Sequence, residues 1–119
     1  MVVKTISVIM SVYNDENNVA NAIQSILDQT FEDFEFLIID DCSTDNTYEE
    51  MTKFVNDSRV KLYVNEKNIG LTKSLNKLIE ESNGKYIFRQ DSDDISFKNR
   101  FDEQIKILET MDIKICTAR

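Results

Sequence analysis

Three carboxylates fall within four positions at Asp91-Ser92-Asp93-Asp94. Ionised carboxylates this close repel one another, which raises their proton affinity unless a cation lies between them. A divalent ion with oxygen ligands relieves that conflict. Such an ion could also bridge the protein to a diphosphate and neutralise charge gathering on a phosphate leaving group. The same string, taken alone, reads more readily as a polar cap for a following helix, whose amino-terminal dipole favours acids. It is not an EF-hand loop, because Ser96 stands where that loop needs glycine and Asp102 where it needs glutamate.

The other chemistry-bearing residues also have two readings each. Asp40-Asp41 is either a strand-end cap or a pair of acceptors for a base or ribose. Tyr13 either stacks on a base or packs over a strand end. Asn68-Ile69-Gly70-Leu71 is a turn into a helix, and Lys73 near that helix start is a phosphate contact or a solvated charge. Cys42 reads as a small loop residue. Phe31, Phe34 and Phe36 read as core.

Composition removes several alternatives. The 119 residues include 14 Lys plus Arg, 22 Asp plus Glu and no His, for a net charge of −8. Without histidine there is no Ser-His-Asp triad, no Cys-His pair, no imidazole base and no imidazole metal ligand. The acidic balance argues against a nucleic-acid surface, which needs Lys and Arg for phosphates. Glycine occurs only at Gly70 and Gly84, so neither the dinucleotide fingerprint nor a P-loop can be present. Cys42 and Cys116 fit no zinc spacing and make no disulfide framework, which points to a reducing compartment. The amino-terminal run MVVKTISVIMSVYN is broken by Ser7 and Ser11 and does not read as a signal peptide. No stretch approaches the ~20 apolar residues of a membrane span. The expected location is the cytoplasm, including the inner face of a membrane.

The elements that must position these residues follow from periodicity. Ile6–Val12, Phe34–Ile39, Val60–Val64 and Tyr86–Phe88 read as strands, and Ile113–Cys116 begins another. Val60–Val64 alternates with period two and reads as edge-like. Between the strands, Val19/Ile23/Ile26/Leu27, Tyr48/Met51/Phe54/Val55 and Leu71/Leu75/Leu78/Ile79 repeat at helical spacing. Phe97/Phe101/Ile105/Leu108/Met111 does the same after the acidic run. Asp45 or Asn46 is the expected cap of the second helix and Ser96 of the fourth, with Ser82-Asn83-Gly84 closing the third. The order β-α-β-α-β-α-β-α-β predicts one α/β domain over 1–119, a mainly parallel sheet with helices on both faces. Ligands of such sheets sit at the carboxyl ends of the strands. Those ends carry Ser11-Val12-Tyr13-Asn14, Asp40 to Asp45, Asn65 to Leu71 and Gln90 to Asp94.

Taken together, ISVIMSVYN, AIQSILDQTFEDFEFLIIDDCSTDNT, NIGLTKSLN and GKYIFRQDSDDIS with RFDEQ resemble the inverting family 2 glycosyltransferases of the GT-A fold. Order and spacing agree across nearly the whole chain. The resemblance implies a Rossmann-like nucleotide-binding half and a nucleotide-sugar donor, usually a UDP-sugar. It implies Mn²⁺ or Mg²⁺ as cofactor and a saccharide or lipid-linked acceptor. By this carry-over Ser11 and Tyr13 line the base, and Asp41 bonds the base edge. Asp91 and Asp93 form the DxD element, Asp93 as the metal ligand and Asp91 near the ribose or metal. Lys73 lies near the diphosphate.

Family members are considerably longer, and their second half carries the acceptor site and the general base. The chain is therefore expected to be the donor-binding part, with the base beyond Arg119 and no catalytic residue of its own. A truncated sheet is also expected to favour self-association. Two other readings compete. One is a module that binds nucleotide sugar without transferring it. The other is a phospho-receiver, which needs paired acids after the first strand and an Asp after the third, where this chain has Ser-Val-Tyr-Asn and Asn65.

Overall fold

The computed structural model describes residues 4–111. Eight elements follow in order: β1 Ile6–Val12, α1 Val19–Leu27, β2 Phe34–Asp40, α2 Thr47–Thr52, β3 Val60–Val64, α3 Leu71–Glu81, β4 Tyr86–Arg89 and α4 Arg100–Met111. The four strands form one sheet in the order β3-β2-β1-β4, every pair parallel. This is the predicted α/β class.

β1 and β2 are buried almost throughout because helices cover both faces, the usual condition of a parallel sheet. Alternate side chains divide between two cores. Ile6, Val8, Met10, Phe34, Phe36 and Ile38 meet Ile23 and Ile26 of α1, Met51 of α2, and Phe101 and Ile105 of α4. Ile9, Leu37 and Ile39 point to the other face, where α3 supplies Leu78 and the partly buried Leu75. Phe101 stands edge-on to both Phe34 and Phe88, at centroid separations of 5.4 and 5.3 Å. Phe34 and Phe36 are core as expected, with Phe31 packed against them.

The chain places β2 and β3 on one side of β1, then crosses to put β4 on the other. The topological switch therefore lies between β1 and β4. Their carboxyl ends lead into Tyr13 and Asn14 on one side and the acidic run on the other. β3 is an edge strand, as its alternation suggested.

Several local expectations are corrected by tertiary contacts. The fourth helix starts at Arg100, not after Ser96. The intervening backbone is used elsewhere: the Ser96 N–H donates to Ser25 Oγ at 3.1 Å, and the Phe97 and Lys98 carbonyls accept from Gln29 Nε2 and the Thr30 N–H. Phe97, placed on the core stripe by spacing, is 84% exposed. Tyr48, Val55, Leu71 and Ile79 are also exposed, so the α2 and α3 stripes bury fewer residues than their periodicity suggests. Gly84 is not a left-handed helix cap, and Ser82 beyond α3 is already extended. Glycine is required at 84 because a Cβ there would fall 2.4 Å from the Ser7 backbone nitrogen. The predicted strand at Ile113–Cys116 lies outside the described residues.

Candidate functional site

Each strand of this sheet delivers a polar loop to the same edge, and side chains from one loop hydrogen-bond the backbone of the next. Between the loops after β1 and β2, the Asn14 N–H donates to Ser43 Oγ at 2.9 Å and the Thr44 N–H to Asn14 Oδ1 at 2.7 Å. The Asp15 N–H donates to Thr47 Oγ1 at 2.8 Å. Asp45, expected to cap α2, accepts the Thr47 N–H at 2.9 Å and also the Glu16 N–H at 3.3 Å. Asn46, the other expected cap, stands at the N-cap position but makes no side-chain cap bond.

Asp41 organises the next junction. It is 2% exposed and faces the loop before α3. Its Oδ1 accepts Asn65 Nδ2 at 2.9 Å and the Ile69 N–H at 2.8 Å, and its Oδ2 accepts the Gly70 N–H at 2.9 Å. Burial works to raise its pKa. The Ile69 and Gly70 N–H groups, the Asn65 amide and the Ser74 hydroxyl outweigh burial and hold it below the ordinary value. Gly70 reaches this geometry with φ of +92°, a conformation that favours glycine. Cys42, with φ of +63°, makes the adjoining left-handed turn, and its thiol donates to the Glu66 carbonyl.

The acidic run after β4 is held from several sides. Arg89 Nε donates to Asp91 Oδ1 at 3.1 Å. Ser92 Oγ donates to Asp15 Oδ2 at 2.6 Å, joining the β4 loop to the β1 loop across the switch. Below it the Arg100 guanidinium, 8% exposed, donates to Gln90 Oε1 at 2.6 Å, Ser96 Oγ at 2.7 Å and the Arg89 carbonyl at 2.9 Å. Gln90 Nε2 donates to the Asp94 carbonyl at 2.7 Å, so the turn carrying Asp91, Asp93 and Asp94 closes on itself. Thr30 Oγ1 donates to Asp102 and to the Lys98 carbonyl, pinning the end of the same segment.

The residues singled out from sequence all lie on or next to this edge. Ser11 is half-buried near the end of β1, opposite Ile39 of β2. Tyr13 is half-exposed just beyond it. Lys73 is exposed in the first turn of α3, which Asp41 anchors through Gly70. Asp91 is half-buried and Asp93 exposed. Among the described residues no three Asp, Glu, Cys or His side chains gather closely enough to hold a metal ion by themselves.

Asp15, Gln29, Asn65, Ser92 and Arg100 were not singled out by sequence as site residues. Gln29 and Arg100 stand within the quoted DQTF and RFDEQ strings, and Asn65 directly follows β3. What those strings could not disclose is that Gln29 holds the backbone at Phe97 and Phe101 while Arg100 braces Gln90, Ser96 and the Arg89 carbonyl. A cavity of about 350 Å³ lies apart from the acidic run, between β3 and α3, lined by Tyr63, Asn65, Lys77 and Leu78.

A parallel sheet of this order, with polar loops gathered where strand order reverses, belongs to the doubly wound nucleotide-binding class of α/β folds. The family model for glycosyl transferase family 2 matches residues 7–119. The chain belongs to that family. It is 38% identical over 103 residues to the Escherichia coli UDP-Glc:alpha-D-GlcNAc-diphosphoundecaprenol beta-1,3-glucosyltransferase WfgD, covering 87% of this chain and 40% of that protein. Among solved structures it is similar to S. aureus TarS in complex with UDP, at a TM-score of 0.83 and 29% identity, over 89% of this chain and 32% of that one. TarS is also known in complex with UDP-GlcNAc. The mannosyltransferase PcManGT of Pyrobaculum calidifontis, in complex with GDP-Man and Mn²⁺, shares the fold at a TM-score of 0.81 and 18% identity, over 90% of this chain and 33% of that one. The chain spans between 15% and 40% of the length of the curated relatives it matches.

Proposed function

We propose that this chain binds a nucleotide-sugar donor, a UDP-sugar, at the carboxyl edge of its sheet, as the donor part of a glycosyltransferase that transfers to a saccharide or lipid-linked acceptor. One observation carries the reading: the Ser92–Asp15 bond brings the acidic loop against the β1 loop at the switch point, two positions beyond Tyr13. Family membership and the UDP complexes of TarS support it. The diphosphoundecaprenol in the name of WfgD supports a lipid-linked saccharide as acceptor, and a role in polysaccharide assembly. The same reading puts the protein in the cytoplasm, at the inner membrane face when its acceptor is lipid-linked.

In this reading Ser11 and Tyr13 line the base and Lys73 faces the diphosphate. Asp41 fixes the β3–α3 loop, and any contact it makes to the base edge shares acceptors already engaged with that loop. Asp93 and Asp91 hold Mn²⁺ or Mg²⁺. Mg²⁺ is commonly bound by one or two carboxylates, with substrate phosphates and water completing the shell. When bound, the ion neutralises charge building on the leaving diphosphate.

Calorimetry with UDP, in Mn²⁺ and in chelator, tests the proposal. UDP should bind more tightly with the metal. Equal binding in both conditions would remove the metal bridge, and tighter binding of another nucleotide would remove the uridine preference. No binding of any nucleotide diphosphate would remove the donor site itself.

A further inference from the structure

The middle residue of the acidic element is a serine whose hydroxyl is already committed. Ser92 stands between Asp91 and Asp93, and its Oγ donates to Asp15 Oδ2 at 2.6 Å. Asp15 is in turn fixed by three other residues. Its Oδ1 accepts Asn18 Nδ2 at 2.8 Å, its N–H donates to Thr47 Oγ1 at 2.8 Å, and its carbonyl accepts the Val19 N–H at 3.0 Å. Asp15 therefore ties together the first turn of α1, the start of α2 and the acidic loop. A hydroxyl donating to a carboxylate is a charge-assisted bond, shorter and stronger than a neutral pair. It joins the β1 loop to the 91–94 turn.

We propose that Asp15 is a positioning residue for donor binding: through Ser92 it sets the reach of Asp91 and Asp93 across the β1–β4 switch. This rests on the reading of Asp93 as the metal-bound carboxylate. The pair suits such a task. The Arg100–Gln90–Ser96 cluster fixes the base of the loop, while Ser92, next to the exposed Asp93, bonds to the opposite side.

The test uses the full chain with Ser92→Ala, Asp15→Asn and the double variant, and Asp93→Asn as reference. Two readouts are taken: amide hydrogen exchange across residues 90–96 without metal, and UDP affinity in Mn²⁺. Each single variant should speed exchange in that segment and weaken UDP binding about tenfold, the scale of one hydrogen bond to a charged group. The double variant should be no worse than the weaker single one, because Ser92→Ala removes and Asp15→Asn weakens the same contact. Ser92→Ala guards against a folding defect in Asp15→Asn, since alanine leaves the α1 and α2 contacts of Asp15 in place. Unchanged exchange and affinity in Ser92→Ala, with Asp93→Asn impaired, would overturn the positioning role and leave the donor reading standing. Additive losses in the double variant would also overturn it. An inert Asp93→Asn would overturn the donor reading, and the positioning role with it.

Discussion

The carboxylate of Asp41, just past β2, accepts the backbone N–H of Gly70, just before α3, at 2.9 Å. The contact spans 29 positions of sequence and locks the loop that leads to Lys73. It requires the left-handed φ of Gly70 and the burial of an ionised carboxylate together.

Asp41→Asn should therefore destabilise the fold by about 2 kcal/mol, the scale of losing hydrogen bonds to a charged group. The amide would turn an N–H toward one of three donors. Urea unfolding measures the loss, and it should be larger than for Asn68→Ala, whose side chain makes one long bond of 3.4 Å to the Asp41 carbonyl.

Gly84→Ala should be worse than Gly70→Ala. At 84 the added carbon meets the β1 backbone at 2.4 and 2.6 Å, and overpacking of this kind costs about 1–3 kcal/mol or more. At 70 the carbon meets nothing within 4 Å, so only the backbone conformation is penalised, φ +92° with ψ +164° being nearly confined to glycine, at about 1–3 kcal/mol. Midpoints of thermal or urea unfolding for the two variants give the order.

Stability should fall in acid. Glu35 is buried in β2. Burial works to raise its pKa, but the Asn83 N–H, the Lys61 ammonium and the Ser7 hydroxyl outweigh burial and hold it below the ordinary value. Asp41 is lowered too. A carboxyl with a depressed folded pKa stabilises fully above its unfolded value of about 4, and loses that contribution as pH falls through the folded value. Unfolding free energy should thus be flat from pH 7 to about 5 and decline below 4. Glu35→Gln should be less stable at pH 7 and show a shallower decline. An equally steep decline in the variant would show that Glu35 is not among the responsible groups.

Asp93→Asn and Asp45→Asn should separate function from fold. Asp93 is exposed, so its loss should leave unfolding unchanged and weaken Mn²⁺-dependent UDP binding at least about tenfold. Asp45 ties the β1 loop to α2, so its loss should lower stability with a smaller effect on binding. Equal effects of the two variants on binding would remove the metal assignment.

The sequence alone determined the alternation of strands and helices, the parallel class and the edge at which polar residues gather. Those features rest on periodicity and on short apolar runs, which are local. β1 and β3 match their predicted bounds because continuous burial and period-two alternation leave few other states for Ile6–Val12 and Val60–Val64. Tertiary structure decided what each polar residue does. The start of α4 moved to Arg100 because Ser25, Gln29 and Thr30, some 70 positions earlier, take the backbone of 96–98. Local pattern makes Gly84 a helix cap, whereas the approach of β1 to its missing Cβ is what requires glycine there. Asp15 and Ser92, 77 positions apart, meet only because β4 crosses to the far side of β1. A hydrogen bond between distant residues leaves no periodic trace in the chain, since either partner alone is an ordinary polar loop residue. The site edge was legible from local pattern, while the bonds that fix its geometry exist only once the sheet order is set.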